Sequence, residues 1–126
     1  MKAIHGILVR VTLTFVETPL FTRQLADCVE DGDYIVLQQE LLTDPERGDL
    51  LVGCHGLRKV RMSLGGRGKS GGARVIYLYL PENHILYFFL LFKKSATENL
   101  STSQRNQLGK IAGQIKATYA ENRKNP

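Results

Sequence analysis

Between Leu50 and Pro81 stand Arg58, Lys59, Arg61, Arg67, Lys69 and Arg74, with no acid among them. Charge so one-sided over a short span points to a polyanion partner. The chemistry open to such a set is the holding of phosphate. The stretch Gly56 to Tyr79 reads as a strand, a glycine-rich basic loop and a second strand. Alternation along Leu57 to Met62 puts Arg58, Val60 and Met62 on one face and Leu57, Lys59 and Arg61 on the other. Lys59 and Arg61 therefore look outward together. A solvent-facing strand carries two cations without any function, so this pair alone would be weak evidence.

The loop Ser63 to Gly72 ends in Gly68-Lys69-Ser70, which invites comparison with a phosphate-binding P-loop. That motif needs glycine at position 63, where Ser63 stands, and a helix where strand-like sequence follows. Nucleotide binding is excluded on both counts. What remains is a basic loop whose backbone approaches phosphate closely.

Metal and thiol chemistry have little support. Cys54 and His55 are adjacent, no CxxC or HxxxH occurs, and Cys28 and Cys54 are too few for a disulfide framework. The expectation is no metal site, no cofactor and reduced thiols in a cytoplasmic protein. The N-terminal apolar run is broken by Arg10, and Asp27 spoils a lipoprotein-like site before Cys28, so export is not expected. The run Ile85 to Phe92 is too short for a membrane span.

The elements that must position the cations follow from the pattern. Val11 to Val16 alternates and is β-branched, a strand signal. Thr18-Pro19 opens a helix that Asp31-Gly32 ends; Asp33 then caps a second helix, Tyr34 to Leu42, stopped by Asp44-Pro45. Residues 44–56 read as a turn-rich connection. Ala73 to Leu80 and Ile85 to Phe92 are apolar strands joined by Pro81-Glu82-Asn83, and their aromatic residues belong to the core. Ser101 and Gln104 form a capping box before a helix to Asn122, whose stripe is Leu108, Ile111, Ala112, Ile115 and Tyr119. Antiparallel pairing of the last three strands brings Arg61, Arg74, Lys93 and Lys94 to one end of the sheet.

The chain has 126 residues, a size for one domain spanning 1–126, with 1–10 a possible arm or strand extension and 121–126 a disordered tail. Net charge is +5, but residues 1–50 hold nine acids and four bases, and residues 51–126 hold three acids and thirteen bases. A basic working face opposite an acidic region is the implication.

The blocks Pro45 to Met62, Gly68 to Leu80 and Leu86 to Ser101 resemble the HigB-like branch of the RelE/ParE toxin superfamily of type II toxin–antitoxin systems. The resemblance covers roughly residues 11–119. It implies an α+β RelE-like fold, a small, mostly antiparallel four-stranded sheet with an N-terminal helical hairpin and a C-terminal helix. It also implies a metal-independent endoribonuclease that cleaves mRNA at the ribosomal A site through attack by the 2′-hydroxyl. By matching positions, the catalytic set would be Lys59, Arg61, Arg74 and Lys94. Arg58, Arg67, Lys69 and Lys93 would contact RNA. The implied partners are the ribosome, mRNA and a cognate antitoxin, expected to be a helix-turn-helix protein from the adjacent gene. The alternatives are a gyrase inhibitor of the ParE type and a non-catalytic nucleic-acid-binding module.

Overall fold

The computed structural model describes residues 2–4, 7–9, 12–28, 31–65, 72–93 and 100–124. The elements run β1 (Lys2–Ile4), β2 (Ile7–Val9), β3 (Thr14–Glu17), α1 (Pro19–Cys28), α2 (Asp31–Thr43), β4 (Asp49–Leu50), β5 (Leu57–Met62), β6 (Ala73–Leu80), β7 (Ile85–Lys93) and α3 (Thr102–Lys124). β1 and β2 make an antiparallel hairpin of their own rather than extending β3. The other five strands form one sheet in the order β3-β7-β6-β5-β4.

Two features correct the four-stranded expectation. The first is β4, two residues long, which pairs antiparallel with β5 inside the stretch that reads as a connection. The second is β3, which runs parallel to β7, Phe15 beside Leu86 and Glu17 beside Phe88, so the sheet is mixed. The β3–α1–α2 segment makes this possible. Parallel neighbours need a long crossover, and the helical hairpin with β4 to β6 supplies it.

The sheet is covered on both faces. On one, Val60, Met62, Ala73, Val75, Tyr77, Leu86, Phe88 and Leu91 pack against Phe21 of α1 and Leu37 and Leu41 of α2. Phe88 is the centre of this layer, with Phe21 stacked on it at 4.9 Å and Tyr34 edge-on at 5.5 Å. Each such buried side chain contributes about 1.5–3 kcal/mol of hydrophobic stabilisation. On the other face, Leu57, Ile76, Leu78, Leu80 and Phe89 meet Ala112 of α3, with Leu108, Ile115 and Tyr119 around it. Ile111, expected in this stripe, is instead substantially exposed.

Local chemistry sets the joints. The Thr18 hydroxyl accepts from the Phe21 amide at 3.1 Å, capping α1 behind Pro19, and donates to the Phe89 carbonyl at 2.8 Å. Asp33 does not cap α2, which begins at Asp31. Its carboxylate instead accepts from the Gly65 amide at 3.0 Å, tying α2 to the start of the basic loop. The capping box of α3 is formed as expected: Gln104 N–H donates to Ser101 Oγ at 3.1 Å, and Ser101 N–H donates to Gln104 Oε1 at 2.9 Å. Helix α3 runs on to Lys124, past the expected frayed point. Gly109 and Gly113 have a packing role. A methyl on Gly109 would stand 3.2 Å from Cys54 Cα, and one on Gly113 would stand 3.3 Å from the His55 ring, so both seat the loop before β5 against α3. Among the described residues no helix is long and apolar enough to cross a membrane.

Candidate active site

The β5–β6 register sets Arg61 directly opposite Arg74, and Lys59 opposite Ile76. Ile76 belongs to the layer under α3. Lys59, Arg61 and Arg74 therefore share the face turned away from the helical hairpin. Arg61 is exposed, and Lys59 and Arg74 are half-buried. Among the described residues Arg47 pairs with Glu40 and Arg58 with Glu46, and none of these three cations is in an ion pair there. Arg74 makes a long contact, 3.4 Å, to its neighbour's carbonyl at Ala73.

The facing pair is energetically informative. Like charges directly opposite in an antiparallel ladder destabilise it, by up to about 1 kcal/mol. An arrangement of two guanidiniums without a counter-charge is relieved by a bound anion. Each guanidinium offers a planar fork that matches phosphate oxygens.

Two other cations are placed elsewhere. Lys93 is paired with Ala73, which lies in the layer under the helical hairpin, so it leaves the sheet on the opposite face. Arg58 also leaves on that face, opposite Tyr77. Its guanidinium is occupied: Nη1 donates to the carbonyls of Gly48 at 2.7 Å and Glu46 at 3.0 Å, and Nη2 reaches the Glu46 carboxylate at 3.1 Å. Lys94, Arg67 and Lys69 lie outside the described residues.

Arg58 is one part of a clamp on residues 45–48. Tyr77, fully buried, donates its hydroxyl to the Pro45 carbonyl at 2.7 Å and accepts from the Gly48 amide at 2.9 Å. Burial pushes its ionisation up from the ordinary tyrosine value, and the Gly48 amide offsets part of that rise. Gly48 has no room for a side chain: a methyl there would lie 2.9 Å from both the Lys59 carbonyl and the Tyr77 ring. The clamp holds the backbone that delivers β4 to the sheet edge. Sequence reasoning did not anticipate it, because Tyr77 reads as one aromatic among several core residues.

The clamp places one residue outside the expected set beside the cations. Asp49 lies directly across the ladder from Lys59. Asp49, Lys59 and Arg61, with Arg47 and Gly48, line a surface cleft of about 350 Å³.

Comparison with known proteins bears on the family and the fold. A family model described as the RelE toxin of the RelE/RelB toxin–antitoxin system matches residues 46–124, which include β4 to α3 and all three cations of the shared face. Among solved structures, the chain is similar to the E. coli toxin RelE, a mutant with two arginines replaced by alanine, in the free state. The identity is 16%, the match covers 69% of this chain and 88% of that one, and the TM-score is 0.51. At that identity the likeness concerns the fold. With more than half of its length matched by the family model, the chain belongs to the RelE family of toxins of toxin–antitoxin systems.

Proposed function

We propose that this toxin is a ribosome-dependent mRNA endonuclease. The observation that supports the reading is the facing pair Arg61 and Arg74, with Lys59 on the same strand face and no acid paired to them among the described residues. Cleavage by 2′-hydroxyl attack needs a base, an acid for the leaving 5′-oxygen, and stabilisation of the phosphorane. Arg61 and Arg74 take the phosphorane charge. Lys59 or Lys94 takes part in proton transfer. Arg67 and Lys69 grip the RNA backbone from the loop. Arg58 and Lys93 leave the sheet on the other face, so any contact they make with RNA lies apart from this cleft. The scheme calls for no metal ion or cofactor.

The block Gly56 to Arg61 supports the HigB-like branch within the family. The protein would then act in the cytoplasm, restrained by an antitoxin encoded beside it. Expressing the toxin alone, and with the neighbouring gene, tests this reading. Protein synthesis should stop first, with growth restored by co-expression or by Arg74→Ala. Arrest of DNA supercoiling ahead of protein synthesis would replace the nuclease with a gyrase poison.

A further inference from the structure

The cations leave the proposed reaction with an imbalance. Ammonium and guanidinium groups are protonated at neutral pH, so neither accepts a proton; a lysine ammonium can give one up, whereas a guanidinium keeps its own. A carboxylate accepts one. Among the described residues that line the cleft, the carboxylate is that of Asp49.

Asp49 and Lys59 are direct partners in the β4–β5 ladder, which keeps their Cβ atoms within about 4.5–5.5 Å of each other on the same face. Asp49 and Lys59 both line the cleft that Arg61 also borders. Asp49 is exposed and has no ion-pair partner among the described residues, so its oxygens are open to a ligand. The backbone before it is held at several points. Tyr77 bonds Pro45 and Gly48, Arg58 bonds Glu46 and Gly48, and Gly48 tolerates no side chain. A two-residue strand has no need of so much fixing for its own stability. The fixing makes sense if the group that follows must stay in place, because acid–base catalysis depends on positioning to well within an ångström.

We infer that Asp49 is the proton acceptor of the cleavage reaction and Lys59 the proton donor. The inference rests on the nuclease reading above. In the step, the Asp49 carboxylate takes the proton of the 2′-hydroxyl as O2′ forms its bond to phosphorus. The bond from phosphorus to O5′ breaks, and O5′ takes a proton from the Lys59 ammonium. The products are a 2′,3′-cyclic phosphate and a 5′-hydroxyl, with Asp49 protonated and Lys59 neutral until solvent restores them. Arg61 and Arg74 carry the phosphorane charge throughout. Tyr77, Gly48 and Arg58 are positioning residues.

The test is single-turnover cleavage of an mRNA held on purified ribosomes, with toxin binding to the same ribosomes measured separately. Asp49→Asn keeps the shape and removes the base. It should lower the cleavage rate at least about a hundredfold with ribosome affinity unchanged. Asp49→Glu keeps a carboxylate and should restore part of the rate. Tyr77→Phe should lower the rate without changing affinity. An Asp49→Asn variant that cleaves within threefold of wild type overturns the assignment, as does a loss that follows weaker binding. A wild type that cleaves nothing overturns the nuclease reading and this assignment with it; an active wild type beside an active Asp49→Asn overturns only this one.

Discussion

At the residue scale, Arg61 and Arg74 set function against stability. Each repels the other across the ladder, and neither is paired with an acid among the described residues. Replacing either with alanine removes the repulsion and should leave the fold as stable or more stable, by up to about 1 kcal/mol. The same change removes a preorganised charge from the phosphoryl transition state, which costs about 3 kcal/mol, or at least a hundredfold in rate. Thermal melts and cleavage assays on the same preparation would check both halves; a variant that loses both stability and activity would point to a structural arginine. Alternation made Lys59 and Arg61 legible as a pair, because period two is all that face assignment requires. It also put Arg58 on the far face. Nothing in sequence showed that Arg58 is engaged by a loop twelve residues upstream, since that contact depends on how the 45–48 backbone turns.

At the element scale, the clamp on residues 45–48 and the aromatic layer under the helical hairpin are both open to measurement. Gly48→Ala forces a methyl into 2.9 Å contacts with backbone and ring, and should destabilise the fold by roughly 1–3 kcal/mol in denaturant titrations. Ser101→Ala should cost about 1 kcal/mol by removing the cap of α3. Tyr34 and Tyr77 give a pH signature. Burial raises both ionisations, and for Tyr34 the hydrogen bond to Glu17 and the Glu17 charge raise it further. A group whose ionisation is raised by folding stabilises the protein fully below its unfolded value and loses that contribution as pH rises. Stability should therefore fall above about pH 10, and Tyr34→Phe should flatten the fall in melts compared at roughly pH 9 and pH 11. The strands β5 and β6 were legible to the residue, β5 from its alternation after Gly56 and β6 as a β-branched and aromatic run between Gly72 and Pro81. β4 was not, because two residues carry no period and become a strand only through their partner. The parallel pairing of β3 with β7 joins segments about seventy residues apart, and no local signal encodes such a choice.

At the scale of the whole molecule, one sheet separates two tasks. The face under α1 and α2 is filled by a continuous aromatic and aliphatic layer, and the other face is shared between α3 and the cations. The charge asymmetry of the sequence foretold a basic half, and the mixed sheet gathers Lys59, Arg61 and Arg74 onto one surface. The family match covers this half of the chain. The central claim is that this surface cuts RNA on the ribosome. Primer extension on an mRNA translated by purified ribosomes, with wild type and Arg74→Ala, tests it most directly. The account predicts discrete stops at A-site positions with wild type, none with Arg74→Ala, and none on naked RNA. Stops of equal strength with Arg74→Ala, or no stops at all from folded wild-type protein, would contradict it.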